Sequence, residues 1–596
     1  MARPPRSTHG SSRDAALRHL APLPGRGRSV PVPPLEVAAV VALQLTAYLL
    51  VLVPMSFGFN RFTGLELVKY QVLSVSNALA APAALLLLLL LTRSRSLVAV
   101  FHALQLAAFL AVSLYVGYFE AFPHLSLLRQ IGLLPPVAGQ ILRQLLSPRE
   151  VVVAVLLLLS CALACRLAGR LRGGRLPRRW VAVLLALLLA VAAKDALLHS
   201  RLPLWKYRYD GVYFFKRHGF VPVFAAQLVD ELGPRRPPAP WPGPLSPDAC
   251  RERRFPPARP DVFLVQVESL DPWVVDATVD GEPVMPFLAQ LRSRCLDFAN
   301  FFSQHRGGGT ADAELACLTG LLPLGSHSGF LTADFRRIIS LPQILATAGY
   351  ATCAMHANAG SYFYRNVAFR RLGFHDFFDR SAYTGDAAGW RSRDVAFVAQ
   401  SLAILDRLPR PVFAYLITMQ SHGPFDNHAP THRFDGEGDR LRRDYLAVMA
   451  EVDAALAKLV EGLAQRGRWD TAVVAIFGDH PSGVEPPGTT ARVGPSARDR
   501  IPLLLHAPGL SPGVSHKVGS PLDLGPTVLH LIGAPDVAYS LGSSLLDEGV
   551  GRVLLAADGK LVVLRNRDPH SPELEVEHDL GAYQPFLDYS EGVLRP

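Results

Sequence analysis

Five stretches in the first 200 residues are apolar for long enough, or nearly so, to cross a bilayer: about 35–55, 76–92, 97–118, 150–168 and 180–199. No other feature of the chain limits its architecture so strongly. The second stretch, ALAAPAALLLLLLL, is short and contains Pro82. A cleaved signal peptide does not account for the first, because a long basic tail precedes it and four more apolar stretches follow. At 596 residues the chain is too long for one ordinary domain. The crowding of apolar residues into its first third divides it into a membrane part and a soluble part.

The arginines set an orientation. Arg3, Arg6, Arg13, Arg18, Arg26 and Arg28 precede the first stretch, Arg93 and Arg95 join the second to the third, and Arg166, Arg170, Arg172, Arg175, Arg178 and Arg179 join the fourth to the fifth. With five crossings all three groups fall on one side, the cytoplasm by the positive-inside rule, and everything after about residue 200 emerges outside. The net charge of +10 is then a consequence of topology, and no nucleic-acid partner is inferred from it. The expected segmentation is a basic cytoplasmic tail (1–34), a five-helix transmembrane domain (35–200), a juxtamembrane segment with a Pro-rich linker (201–260) and an extracytoplasmic catalytic domain (261–596). The outer loop at 119–149 reads as an amphipathic helix in the interface. LWKYRYDGVYFFKRHGF suits the headgroup layer, and the Pro-rich run that follows reads as an extended spacer. Cys161 and Cys165 read as small apolar fillers in a crossing, while Cys250, Cys295, Cys317 and Cys353 lie in the exported part with no pairing selected by the sequence.

From Asp261 onward, short apolar runs alternate with helical segments, the pattern of an α/β domain with a largely parallel sheet. The predicted strands are DVFLVQV (261–267), ATCAMH (351–356), VFAYLITM (412–419), TAVVAIFG (471–478) and IPLLLHA (501–507). The predicted helices include PFLAQLRSR, ADAELACLTG and DYLAVMAEVDAALAKLVEGLAQR. GRVLLAADGKLVVLRNR reads as a small terminal β element, a hairpin turning at ADGK.

Open α/β sheets place their sites at the carboxyl ends of strands. Four predicted strands end on or near groups that suit a metal or a phosphate: Glu268, His356, His422 and the pair Asp479–His480. Each has a plainer reading alone: a turn cap for Glu268, a hydrogen-bonded loop residue for His422, a surface charge for Arg365. Their joint placement favours a site. Between the first strand and the next elements lies RGGGTADAE (306–314), which puts Thr310 at or near a helix N-terminus, as a cap, as a nucleophile facing a phosphate, or as both. A threonine hydroxyl needs a base or a metal to react. Glu268, Asp479 and His480, with Thr310 itself, compose a four-ligand, oxygen-rich site compatible with manganese, magnesium or zinc.

At VESL (267–270), GEPVMPFLAQL, GGGTADAE, HANAGSYFYRN (356–366), ITMQSHGPF (417–425) and FGDHP (477–481) the sequence resembles the lipoteichoic acid synthase family of phosphoglycerol transferases, within the sulfatase/alkaline-phosphatase superfamily. The resemblance extends to the order of crossings, linker and catalytic domain. It implies that Thr310 is the nucleophile and carries a glycerophosphate ester. It also implies that Glu268, Thr310, Asp479 and His480 hold one divalent metal, Mn2+ before Mg2+ or Zn2+. His356, Arg365 and His422 match the positions that hold the donor's phosphate and glycerol. Two further substrate-pocket positions depart from the family pattern: Asn358 stands in place of an acidic residue and Phe363 in place of a tryptophan. The implied donor is phosphatidylglycerol in the bilayer, and the acceptor is an envelope glycan or polyglycerophosphate. A phosphoethanolamine transferase shares five crossings and a threonine nucleophile. A sulfatase would need a C/S-x-P-x-R setting that 306–314 lacks, and a membrane sensor without activity would have lost the nucleophile or a ligand.

Overall fold

The structure is a computed structural model that describes residues 33–58, 77–119, 123, 125, 146–171, 178–201, 215, 218–232, 239–246, 259–306, 309–324, 328–360, 362–429, 433–488, 499–534, 539–557, 560–568, 570–577 and 580–594. The chain divides into two compact units, one built from residues within 1–197 and the other holding 198–596 with two short earlier segments.

Each of the five apolar stretches forms a helix: Pro34–Gly58, Ala80–Thr92, Arg95–Phe119, Pro148–Arg170 and Arg178–Arg201. Among the described residues, three contain spans long and apolar enough to cross a membrane, at Pro34–Val51, Arg95–Tyr115 and Pro148–Arg170. The structure therefore supports three such helices where five were expected. Ala80–Thr92 has 13 residues, a length of about 20 Å against a hydrocarbon thickness of about 30 Å. Inside this unit Gln44 donates to Ser160 Oγ at 3.1 Å, and His102 Nε2 lies 3.0 Å from the same hydroxyl, so three helices share one buried polar cluster. Most of the expected amphipathic loop at 119–149, most of the basic tail and Cys250 lie outside the described residues.

The second unit is organised by an eight-stranded sheet. Its strands are β1 (Val262–Val267), β4 (Leu296–Phe298), β5 (Ala351–His356), β6 (Asp376–Phe378), β7 (Val412–Ile417), β8 (Val473–Gly478), β9 (Leu503–His506) and β10 (Gly513–Ser515), and a two-stranded ribbon of β2 (Thr278–Val279) and β3 (Glu282–Pro283) stands apart. The order is β10-β4-β9-β8-β1-β7-β5-β6. Only β9 runs against the others, pairing antiparallel with β8 and β4, so the sheet is mixed but mostly parallel. All five strands read from the sequence are present. The three-residue strands at or near the edges, β4, β6 and β10, were not foreseen.

The continuous apolar runs have a simple cause. Phe263, Val265 and Val267 of β1 enter one core cluster while Val262 and Leu264 enter the other, so both faces of the sheet are covered. Helix Arg440–Gln465 packs on the first face through Tyr445, Val448, Val452 and Leu456, and helix Thr310–Thr319 on the second through Ala311, Leu315 and Leu318. The predicted terminal hairpin forms from β11 (Arg552–Ala557) and β12 (Lys560–Asn566), its turn at 558–559 outside the described residues; a third strand, β13 (Leu574–Glu577), and a helix, Gln584–Leu594, complete the C-terminus. Part of the Pro-rich stretch packs on this region. Leu245 N–H donates to Leu541 at 2.7 Å, and Ser246 Oγ accepts from Arg552 N–H at 3.0 Å. Cys295, Cys317 and Cys353 are buried free thiols, and Cys161 and Cys165 are free as well.

Candidate active site

The parallel register brings the expected residues to one edge. Val267 of β1 pairs with Gly478 of β8, so the residues that follow, Glu268 and Asp479, leave neighbouring strands side by side. On the other flank Gln266 pairs with Ile417 of β7, which pairs in turn with His356 at the end of β5. Backbone links hold this edge closed: Thr418 N–H donates to Gln266, Thr418 Oγ1 accepts from Glu268 N–H at 2.9 Å, and Ser421 Oγ donates to the Glu268 carbonyl at 2.5 Å. Gly478 is required just before Asp479, since a Cβ there would lie 2.7 Å from the Leu270 carbonyl oxygen.

Potential ligand atoms of Glu268, Asp479 and His480 all lie within 4.8 Å of one another. Thr310 joins them: its hydroxyl donates to Glu268 Oε2 at 2.9 Å. Thr310 is the first helical residue and Gly309, with φ of 54°, occupies the cap position, so the threonine is not the N-cap that the sequence left open. Its hydroxyl faces a carboxylate across the sheet edge rather than its own helix.

The electrostatics are those of a site short of positive charge. Burial pushes Glu268 upward, but the hydrogen bond and charge of His480 outweigh it and hold Glu268 below the usual carboxylate range. Burial and the neighbouring Glu268 hold Asp479 well above that range. His480 is partly buried, which opposes its charge, yet Asp479 and Glu268 raise it to about 10. Asp479 Oδ1 accepts from the Ser269 and His480 N–H groups at 2.8 and 2.7 Å, whereas buried Oδ2 has no hydrogen-bond partner. A buried oxygen without a donor, beside a second carboxylate and an imidazole, fits a divalent cation in type and number of ligands.

Next to this set lies a second group. Arg365, 2% exposed, is tied to Glu314 by Nε at 3.0 Å to both carboxylate oxygens and by Nη2 at 2.5 Å. His356 is buried, with Nδ1 at 3.1 Å from the Ile417 carbonyl, and desolvation lowers it to about 3. His422 lies in the loop after β7, where burial lowers it to about 4 and Nδ1 sits 2.9 Å from Gly423 O. Both are neutral imidazoles at neutral pH. Asn358 is buried and its Oδ1 accepts from Ala359 N–H at 2.8 Å. Phe363 is buried beneath Arg365, whose guanidinium lies 5.2 Å from the ring centre. Its neighbours Tyr362 and Trp390 are only half-buried, and Trp390 faces the His422 ring at 4.8 Å. The more open aromatic surface is thus Tyr362 and Trp390 rather than Phe363.

Among the described residues, four of the six non-glycine residues with positive φ sit beside these groups: Ser269 after Glu268, Phe363 and Tyr364 before Arg365, and Phe425 after His422. Such backbone persists where surrounding contacts enforce it, and it clusters at functional sites. Three nearby residues were not read from the sequence: Glu314, His305, whose ring lies 5.6 Å from that of His480, and Trp390. Glu314 had a readable signal, one helical turn beyond Thr310; Trp390 is remote in sequence from every motif.

A mostly parallel sheet thus carries an acidic and imidazole cluster at its carboxyl edge and a threonine on the adjoining helix. The sulfatase family model matches residues 260–534. The chain is similar to lipoteichoic acid synthases: lipoteichoic acid synthase 1 of Bacillus subtilis is 30% identical over 308 residues, 48% of each chain, and the Staphylococcus aureus synthase is 26% identical over 322 residues, 51% of this chain and 50% of the other. The chain spans about half the length of the relatives it matches. Among solved structures, the lipoteichoic acid synthase LtaP of Listeria monocytogenes is 24% identical with a TM-score of 0.49, covering 56% of this chain and 90% of that one.

Proposed function

We propose that the protein is a metal-dependent phosphotransferase that moves phosphoglycerol from phosphatidylglycerol to an envelope glycan or polyglycerophosphate acceptor, with Thr310 as nucleophile. The observation that carries this reading is the Thr310 hydroxyl held 2.9 Å from Glu268 at the edge of the Glu268–Asp479–His480 cluster. The similarity to lipoteichoic acid synthases supports the substrate class. Glu268, Thr310, Asp479 and His480 hold one divalent cation, Mn2+ before Mg2+ or Zn2+. Bound there, it supplies Lewis-acid stabilisation of the threonine alkoxide and of phosphoryl charge.

The chain's own residues do the rest. Thr310 Oγ1 forms a new P–O bond as the bond to diacylglycerol breaks, and the leaving alcohol departs with a proton. An acceptor hydroxyl then attacks the Thr310 ester, and Thr310 regains its proton. Each step exchanges one phosphate ester for another. His356 and His422, neutral at pH 7, orient the phosphate and glycerol as hydrogen-bonding groups rather than as fixed charges. Arg365 supplies the positive charge, and Asn358 and Phe363 help shape the pocket around it. In this reading residues 1–34 are cytoplasmic, 35–200 form a multi-pass anchor, 201–260 lead away from the bilayer and 261–596 act outside the cytoplasmic membrane. The Arg-rich connections support that orientation.

Incubating the detergent-solubilised full chain with manganese and phosphatidylglycerol, then mapping peptides by mass spectrometry, tests the proposal. A glycerophosphate adduct on Thr310 is expected. An adduct formed only with phosphatidylethanolamine would replace the donor and make the protein a phosphoethanolamine transferase, and no adduct on Thr310 with either lipid would overturn the nucleophile.

A further inference from the structure

Resting on the phosphoryl-transfer reading above, we propose that Glu314 is a positioning residue: it locks the Arg365 guanidinium to the helix that carries the nucleophile, so that Thr310 and Arg365 meet the phosphoryl group as one rigid unit. Glu314 is fully buried and Arg365 almost so, and together they make three contacts of 2.5–3.0 Å. Replacing a buried ion pair by apolar side chains of similar volume is often neutral or stabilising, so such a pair is weak evidence of a stability role. The Arg365 guanidinium lies 5.2 Å from the ring centre of Phe363, a member of the apolar core on that face of the sheet.

Its placement points to another role. Glu314 is four residues beyond Thr310 in helix Thr310–Thr319, so the two side chains share a face. Arg365 opens helix Arg365–Arg371 directly after Phe363 and Tyr364, both at positive φ, so the chain is turned sharply to deliver it. The pair joins those two helices across the end of the sheet. Glu314 also occupies Nε and one Nη2 direction of Arg365, which removes that edge of the guanidinium from two-point phosphate binding and leaves the Nη1 side to face substrate.

A double-mutant cycle on the full chain in detergent, with phosphatidylglycerol as donor, separates positioning from packing. Glu314→Gln is expected to lower kcat/KM by about 100-fold, the scale of losing one preorganised donor at a phosphoryl site. In an Arg365→Met background the same change should have less than about a threefold further effect, because its role passes through Arg365. The apolar pair Glu314→Leu with Arg365→Met should keep the wild-type melting temperature or exceed it while remaining as slow as Arg365→Met alone. Additive losses in the cycle, or wild-type turnover by the apolar pair, would overturn the assignment. If wild-type protein forms no adduct on Thr310, the transfer reading itself fails; if wild type forms it and Glu314→Gln forms it equally fast, only the positioning role does.

Discussion

Each unit of the chain buries a polar cluster, and the two clusters are built on opposite principles. In the N-terminal unit Gln44, His102, Gln105 and Ser160 come together from three helices, and none is a carboxylate, lysine or arginine. In the second unit Glu268, Asp479 and His480 crowd two acids and a base together and leave Asp479 Oδ2 without a donor. The first arrangement is closed by hydrogen bonds among neutral side chains, with Gln105 Oε1 alone left without a partner, and it ties three helices together. The second gathers two carboxylates and an imidazole whose ligand atoms lie within 4.8 Å of one another, a group that could hold a cation. Burial does not separate the two, and each leaves one buried oxygen without a hydrogen-bond partner; the charge crowded into the second does.

Substitutions should sharpen that contrast. The largest effect is expected for Thr310→Ala, which should lower transfer on the order of 10^4-fold or more while costing about 1 kcal/mol of stability for one hydrogen bond; wild-type adduct formation by the variant would contradict the nucleophile assignment. Next, Asp479→Ala should weaken manganese affinity by more than the roughly 10–100-fold typical of outer-shell changes, read by calorimetry on chelator-treated protein. It should also remove the repulsion that Asp479 feels from Glu268, so the chelated variant is expected to melt no lower than chelated wild type.

A smaller effect comes from His356. Its folded-state pKa is lowered to about 3 from 6.5, so between those values the unfolded chain binds a proton that the folded chain refuses. Stability from this group is complete above pH 6.5 and is lost as pH falls toward 3, by up to about 1.4 kcal/mol per unit. His356→Gln should flatten that dependence in melting curves recorded against pH, and an unchanged slope would refute a neutral buried imidazole. The smallest effect is expected for Ser160→Ala, about 0.6 kcal/mol in the helical unit, with manganese binding and transfer unchanged.

The sequence made the interior of the sheet legible and its margins obscure, for reasons of length and coverage. β1, β5, β7 and β8 are six-residue runs buried on both faces, so their apolar character is unbroken. β4, β6 and β10 have three residues each and read LDF, DFF and GVS, too short to show a period. The cluster of Glu268, Asp479 and His480 was legible because each member follows a readable strand, and the position of Thr310 because glycines announce the turn before its helix. Arg365 was placed at the phosphate, but the loss of part of its fork to Glu314 depends on how two distant helices pack. Trp390 lies between the short strand β6 and helix Asp394–Leu405, and only the folded loops carry it to His422. Each of the five apolar stretches forms a helix, but among the described residues three of them hold a span long and apolar enough to cross a membrane, Ala80–Thr92 being too short.

The pairing of Val267 with Gly478 reaches further than alignment. Because Glu268 and Asp479 step off adjacent parallel strands, their separation is inherited from the strand spacing of about 4.8 Å that all sheets share, not from a loop that could open or close around an ion. The proposed cation site is a gauge cut into the backbone ladder itself. Loading and stripping it should change the charge at that edge while leaving its shape alone, so amide exchange along β1 and β8 should scarcely register whether the ion is there.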